Sequence, residues 1–184
     1  METTNFIIVS ANSQIDWTGR KVTGAHNGTI GIKEGNFIVN NGKINGGNIT
    51  INTSTIKILD VTDPDTNAQF AGHLASDDFF SIEKFPTASF DILSVKEISN
   101  NTYYLEGNLI IKDISHVVGF EVSVENNQNQ IKLSGKLVID RTKYDIRFRS
   151  GNFFTDLGDT LIYNDFDLDF NITAEAALSE QSNN

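Results

Sequence analysis

The chain has 184 residues, a length that fits a single domain able to bury its own core. It contains no cysteine, which excludes disulfides, thiolate metal sites and cysteine nucleophiles. Its 14 basic and 24 acidic residues give a formal net charge of −10, and such a chain repels phosphate backbones and anionic lipid surfaces, so we expect no nucleic-acid partner.

The N-terminal segment carries one short apolar run, Phe6 to Val9, preceded by an acid at Glu2. An export signal needs a basic start and a longer apolar core. As the sequence stands we therefore expect a cytoplasmic protein, or a periplasmic one if a leader was removed. No stretch approaches the roughly 18–20 consecutive apolar residues of a membrane helix, so we expect a chain that does not span a membrane.

Turn residues recur at short intervals along the chain, as is typical of an all-β meander. The first of these groups is Asn40-Asn41-Gly42, and two more follow at Ser99-Asn100-Asn101 and at Asn126 to Asn129. Each separates two runs of strand character, so each predicts a hairpin turn.

The segment from Thr62 to Phe85 interrupts this strand pattern. Asp63-Pro64 has the form of a helix start, a capping residue followed by proline at the first helical position. Ser76-Asp77-Asp78 predicts a second start, since acids in a first turn are favoured by the helix dipole. We predict two short helices here, inserted between strands and packed at one mouth or flank of a β-barrel.

Alternation between apolar and polar residues is clearest in the second half of the chain. Four strands are predicted, with inward faces Tyr103/Leu105/Leu109/Ile111, Val118/Phe120/Val122/Val124, Ile131/Leu133/Leu137/Ile139 and Phe166/Leu168/Phe170/Ile172. The acids Asp165, Asp167 and Asp169 lie on the opposite, solvated face of the last strand. Period-two patterning gives each strand one buried and one wet face, and closing about eight such strands into an antiparallel barrel hides the apolar face and removes the edges. Residues from about Ala176 to Asn184 predict a polar C-terminal tail.

The sequence contains no convincing metal-binding or catalytic motif. Asp63, Asp65 and Asn67 have the spacing of a calcium-loop start, but Ala68 and Leu74 stand where glycine and glutamate are needed, so a capped helix start is the better interpretation. The three histidines, His26, His73 and His116, are far apart in sequence, and no serine lies in a nucleophile motif. We expect no metal, no cofactor and no catalytic residue.

Several segments of the chain resemble the YceI-like family, bacterial lipocalin-like proteins also called polyisoprenoid-binding. The segments are IDWTGRKVTGAHNGTIGIKEG from Ile15, GHLASDDFFSIEKFPTASFDI from Gly72, YYLEGNLIIKDISHVVGFEV from Tyr103, and Asp140-Arg141 followed by Tyr144-Asp145-Ile146. The most specific part runs from His73-Leu74 through Lys84-Phe85-Pro86 to Phe90. The matched segments follow one another in order along nearly the whole chain.

The resemblance implies an eight-stranded antiparallel barrel, spanning residues 1–175, whose apolar lumen holds a long isoprenoid or fatty chain. It also allows a homodimer. From the alternation we expect the lumen wall to include Trp17, Ile49, Ile51, Phe90, Leu105, Leu109, Phe120, Leu133, Leu137, Phe166 and Phe170. His73, Arg141 and Tyr144 are candidates for the polar end of the ligand, although arginine and tyrosine more often anchor local hydrogen bonds.

The function predicted from the sequence is thus non-enzymatic binding or transport of an apolar lipid. Two alternatives stay open. A lipid-modifying hydrolase or isomerase would use the same cavity and would need a base with a perturbed pKa inside it. A stress-response interaction module would have a barrel filled by its own side chains, and periodicity alone does not separate that case from a ligand carrier.

Overall fold

The computed structural model describes residues 3–177, which form nine strands and one α-helix. The strands are β1 (Thr3–Ile8), β2 (Gln14–Lys21), β3 (Gly24–Asn40), β4 (Lys43–Ile58), β5 (Thr87–Ser99), β6 (Thr102–Ile111), β7 (Ile114–Asn127), β8 (Gln130–Asp140) and β9 (Ile162–Ala176). The helix α1 (Pro64–Ala75) lies between β4 and β5. Of the helices in the described part of the chain, none is long and apolar enough to cross a membrane.

The strands form a closed antiparallel barrel. Hydrogen bonding runs in the order β3-β2-β9-β8-β7-β6-β5-β4, and β4 pairs with β3 to close the circle. β1 also lies between β3 and β9, and a 3-10 turn at Ser10–Asn12 separates it from β2. Because β1 and β2 share one place in the circle, the nine segments make an eight-stranded barrel, which confirms the fold predicted from the alternation.

The three predicted hairpin turns all lie at one end of the barrel, called here the turn end. β3 and β4 meet at Asn41 and Gly42, whose φ angles of 51° and 79° are those of a type I′ turn. Asn101 and Gln128 also have positive φ in the turns after β5 and β7. The opposite end, called here the helix end, carries α1 and the long connection 141–161 between β8 and β9.

Alternation in the second half of the chain is confirmed by burial. On β6, Leu105 and Leu109 are buried while Glu106 is exposed. β8 and the first part of β9 repeat the pattern.

The outer face of β9 holds one exception to the prediction. Asp167 is 6% exposed, although it was expected on a solvated face. The Arg20 guanidinium lies 2.7 Å from the Asp167 carboxylate and the Lys136 ammonium lies 3.3 Å from it, so two long basic side chains cover the acid. The hydrogen bond from Arg20 lowers the pKa of Asp167 below its usual value, against the opposing effect of burial.

Helix α1 begins where the sequence predicts. The Asp63 carboxylate accepts hydrogen bonds from the Thr66 backbone N–H at 2.9 Å and from its hydroxyl at 2.7 Å, and Pro64 stands at the first helical position. Asn67 donates from Nδ2 to the carbonyl oxygens of Ile58 and Val61. Two of the three residues with calcium-loop spacing are thus used for capping and for anchoring the helix to the end of β4.

The second predicted helix is absent, and residues 76–85 form a series of hydrogen-bonded turns instead. Ser76 ends α1, since its hydroxyl donates to the His73 carbonyl oxygen at 2.6 Å, and it therefore does not start a new helix. Ser81 has a φ of 47°, which a right-handed helix cannot contain, and its hydroxyl donates to the Asp77 carboxylate at 2.6 Å. Asp77, one of the acids that led to the prediction of a helix start, therefore stabilises a turn.

The predicted polar tail, residues 176–184, lies outside the described residues except for Ala176 and Ala177. The backbone N–H groups of these two donate to the carbonyl oxygens of Asn129 and Asn5, each at 2.8 Å.

Candidate functional site

The barrel interior is filled by side chains at the turn end. Phe37 and Ile131 are completely buried there, and Leu105 and Leu133 are each 2% exposed. The remaining members of this cluster come from all parts of the barrel: Phe6, Ile8, Ile15, Ile32, Val39, Ile44, Tyr103, Val122, Val124, Ile172 and Ala174. This half of the lumen is an ordinary packed core.

The helix end of the interior holds a cavity of about 730 Å³. Its barrel wall is made of inward-facing apolar side chains: Ile15, Trp17, Ile30, Ile51, Ile56, Ala88, Leu109, Ile111, Ile139, Phe166 and Leu168. Lys21 and Asp159 also line it and are exposed, so the cavity reaches the protein surface at this end. Its size lies within the range of cavities that bind small organic ligands.

Trp17 forms part of the wall because the neighbouring strand leaves room for its indole. A Cβ atom added to Gly28 of β3 would collide with the Lys57 carbonyl oxygen and lie 2.7 Å from the ring, so the glycine is needed both for the close approach of β4 and for the indole to lie against the strand. The indole Nε1 donates to the Lys57 carbonyl oxygen at 3.1 Å, with a second acceptor at 3.3 Å on Thr29. The polar edge of the ring is thereby satisfied by the backbone, and its apolar surface faces the cavity.

Two chain segments cover the cavity at the helix end. Phe70 and Leu74 of α1 lie on one side with Phe79, and Ile146 and Phe148 of the 141–161 connection lie on the other.

The His73 ring links these two covers. It packs edge-on against Phe79 at 5.0 Å and against Phe148 at 4.6 Å, measured between ring centroids. The contact between α1 and the connection is therefore made by aromatic rings, which can separate without breaking backbone hydrogen bonds.

Two histidine–aspartate pairs lie at the rim of the cavity. His26 Nδ1 is 2.7 Å from the Asp60 carboxylate, and His73 Nε2 is 2.9 Å from that of Asp78. Burial raises the pKa of Asp60, but hydrogen bonds from the Asn27 backbone N–H and from His26 together lower it below its usual value. The first pair ties β3 to the segment before α1, and the second ties the C-terminal end of α1 to the turn that follows it. No group of three His, Asp or Glu side chains between residues 3 and 177 is arranged to bind a metal ion.

Arg141 lines the cavity and is 4% exposed. Its guanidinium donates to three backbone carbonyl oxygens, those of Ile146, Ile162 and Tyr163, at 2.9 to 3.0 Å. These bonds hold the two ends of the 141–161 connection together. Burial lowers the pKa of Arg141, yet an arginine stays charged in proteins, so a buried cation lies in the wall of the cavity.

Tyr144 is 1% exposed and packs with Ile139 and Ile146 beside the cavity without lining it. Its hydroxyl has no hydrogen-bond partner within residues 3–177, and burial raises the pKa of Tyr144 to about 12. The His116 ring lies edge-on against it at 5.2 Å.

The structure divides the predicted lumen wall into two groups. Trp17, Ile51, Leu109 and Phe166 line the cavity. The other seven, Ile49, Phe90, Leu105, Phe120, Leu133, Leu137 and Phe170, pack inside the barrel outside the cavity lining. Of the candidates for the polar end, His73 and Arg141 line the cavity and Tyr144 does not.

Sequence reasoning missed several lining residues. Ile15 lies two positions before Trp17 on the same strand face, so alternation alone could have found it. Phe70, Phe79 and Phe148 come from the helix, the turns and the connection, where no period-two signal exists.

A model of the YceI-like domain matches residues 6–174 of this chain. The YceI proteins of Salmonella arizonae and Salmonella newport are 31% identical to it over 112 residues. That match covers 60% of this chain and 53% of each relative, so it spans about half of the relatives' length.

Solved structures share the fold at low sequence identity. BcnA of Burkholderia cenocepacia superposes with a TM-score of 0.69 at 18% identity, covering 90% of this chain and 98% of that one. A domain from Saccharophagus degradans, described as polyisoprenoid-binding and implicated in plant cell wall breakdown, gives 0.66 at 13% identity, covering 96% and 100%. The Campylobacter jejuni YceI protein gives 0.57 at 17% identity, covering 74% and 75%.

Proposed function

Because this chain belongs to the YceI-like family and its barrel contains a large apolar cavity, we propose that it binds or transports a lipid with a long apolar chain, a polyisoprenoid or a fatty-acid-like molecule, without chemical conversion. The cavity at the helix end is the observation that carries this proposal. It also argues against the filled-barrel alternative, since the helix end of the lumen holds open space beside its packed side chains.

Water exclusion supplies the affinity in such a site. Burial of one methylene group contributes about 0.8 kcal/mol, so one five-carbon isoprene unit contributes roughly 3–4 kcal/mol before the costs of binding. Trp17, Leu109 and Phe166 offer apolar surface without a polar group directed at the ligand. Two or three units buried against such a wall give tight retention with no specific polar contact.

The polar end of the ligand is placed at the helix end of the cavity in this proposal. Arg141 and His73 line that region, and the exposed Lys21 and Asp159 mark where the cavity meets solvent. A headgroup left there stays hydrated, while its chain extends toward the middle of the barrel. This orientation avoids burying a polar group without a partner.

Organic extraction of the purified protein followed by mass spectrometry tests the proposal. We expect a lipid with a long apolar chain in the extract, close to one molecule per barrel, and rebinding of the same lipid by the delipidated protein. Absence of any such lipid, together with no binding of added prenols or fatty acids, would contradict ligand carriage.

The non-enzymatic part of the proposal has its own readout. The extracted lipid, incubated with fresh protein, is expected to return chemically unchanged. Conversion to a product, lost when His73 or His26 is replaced by Gln, would instead support the hydrolase or isomerase alternative, because these are the histidine–carboxylate pairs at the cavity rim.

A further inference from the structure

Three phenylalanine rings meet inside the barrel between the cavity and the packed turn end. The Phe120 ring of β7 lies 5.3 Å from the ring of Phe90 on β5 and 5.6 Å from that of Phe170 on β9, measured between centroids. Phe90 is 6% exposed, and Phe120 packs against both the turn-end cluster and the cluster around the cavity. We call these three residues the phenylalanine layer.

Two strand glycines allow the phenylalanine layer to form. A Cβ atom at Gly107 of β6 would lie 2.6 Å from the Phe90 ring, and one at Gly135 of β8 would lie 2.9 Å from the Phe170 ring. Each would also collide with a backbone carbonyl oxygen of a neighbouring strand, that of Asp91 or of Glu121. Each outer ring therefore lies over the backbone of the neighbouring strand, and Phe120 stands between them. The rings thus cover one level of the barrel continuously from β5 to β9.

Strand register places the phenylalanine layer directly below the cavity. Ile51 pairs with Ala88 across β4 and β5, and both line the cavity. The next inward-facing pair toward the turn end is Ile49 with Phe90, and neither belongs to the lining. Ile49 packs against both clusters and continues the layer on β4.

We propose that the phenylalanine layer, which packs just below the residues that line the cavity, closes the barrel there as a floor and sets the length of chain the barrel accepts, so that the preferred ligand carries three to four isoprene units or an acyl chain of equal length. This inference rests on the proposed function. A longer chain meets the rings, and its excess units stay outside the barrel in water.

The dimensions of the cavity give the length limit. Ile162 and Leu168 of β9 both line it, and six residue steps at about 3.3 Å with a strand tilt of about 40° give a depth of about 15 Å. Extended tetrahedral carbon chains advance about 1.25 Å per bond, so about 12 backbone carbons, or three isoprene units, span that depth. At about 30 Å³ for a group of methylene or water size, the cavity of about 730 Å³ is large enough for three to four isoprene units.

A series of prenyl alcohols with two, three, four, six and eight isoprene units tests the floor. Binding is measured by displacement of a fluorescent apolar probe from the delipidated full chain. Affinity is expected to rise by about tenfold or more per unit up to three or four units and by less than about threefold beyond. An affinity that keeps rising through eight units overturns the inference while leaving the proposed function in place.

Substitutions in the floor should move the optimum. Phe170→Ala and Phe120→Ala each open space of about one isoprene unit, so the preferred chain is expected to lengthen by one unit. Phe6→Ala is the matched control, because Phe6 is 2% exposed in the turn-end cluster, lies on β1 and is not part of the phenylalanine layer. It removes the same side chain and is expected to leave the optimum unchanged.

A substitution above the floor gives an independent readout if the floor variants fail to fold. Ala88→Phe adds a ring to the cavity wall and is expected to shorten the preferred chain by about one unit. Folded variants whose optimum stays that of the wild type overturn the inference. Failure of every prenyl alcohol to bind the wild type overturns both the inference and the proposed function.

Discussion

Replacing Leu109 by tryptophan should separate a ligand carrier from a filled barrel. Leu109 is 6% exposed, lines the cavity and lies beside Phe90 in the register of β5 and β6. Tryptophan adds about six heavy atoms, and each methylene of ligand that they displace forfeits about 0.8 kcal/mol. Displacement of two or three methylenes weakens binding by about 2 kcal/mol, roughly 30-fold.

The melting temperature of the Leu109→Trp variant also distinguishes a ligand carrier from a filled barrel. Because free space adjoins the side chain, the larger ring should enter the cavity with little strain, and the melting temperature is expected to stay within about 3 °C of the wild type. In a filled barrel the same ring would overpack the core at a cost of roughly 1–3 kcal/mol. The two measurements are lipid recovered per mole of protein and melting temperature.

Asn108→Trp is the matched control for this experiment. Asn108 is the neighbour of Leu109 on β6, so its side chain points to the outer face, where it lies between Asp91 and Val117 of the adjacent strands. It should change neither lipid content nor stability. Full lipid retention by Leu109→Trp, or lipid loss confined to Asn108→Trp, would refute the assignment of the lumen face.

Three further predictions concern stability and are checked by urea unfolding. Asp63→Ala should cost about 1 kcal/mol, because α1 loses the side-chain cap of its N-terminus, with the loss seen in helical circular dichroism. Gly107→Ala should cost more than about 2 kcal/mol, since its Cβ would collide with the Asp91 carbonyl oxygen and with the Phe90 ring, whereas Gly46→Ala, with open space around it, should cost far less. Asp167→Asn should cost about 1–2 kcal/mol at neutral pH. Because its folded pKa is lowered, the stabilisation by Asp167 is present above the unfolded pKa of about 3.9 and is lost as the pH falls through the folded value, so the two proteins should converge in acid.

The barrel was predictable from sequence because strand faces and hairpin turns are set locally. Asn41-Gly42 specifies a type I′ turn by its own backbone preferences, and the alternation through Leu105 and Leu109 specifies which side of β6 is buried. The helix start at Asp63 is local in the same sense.

The failed predictions depended on partners distant in sequence or on competition between neighbouring signals. Ser76 has the composition of a helix start, but α1 needed it as a C-terminal cap. Asp167 lies on the outer face as predicted, and it is buried because Arg20 and Lys136 come from the two flanking strands, β2 and β8. Neither the capping role of Ser76 nor the burial of Asp167 can be predicted from the residues next to it in sequence.

The sequence also could not show which predicted wall residues line the cavity and which belong to the packed core. Alternation reports the side of the sheet on which a residue lies, and it carries no information about height along the barrel. Leu105 and Leu109 are equivalent by periodicity, yet one is in the packed core and the other lines the cavity. Height is set by register, which combines strands far apart in the chain.

Glycines inside strands are the sequence feature that carries information about height. A glycine weakens a strand unless something packs against its bare backbone. Gly28 lies under Trp17, Gly107 under Phe90 and Gly135 under Phe170, each pair on adjacent strands. Once the hairpin turns fix the register, an inward-facing strand glycine opposite an aromatic residue marks the level at which a ring lies across the wall. Gly107 and Gly135 mark the same level from two sides of Phe120, so an aromatic layer at mid-height follows from the turns and glycines together, and with it the depth of the space left above.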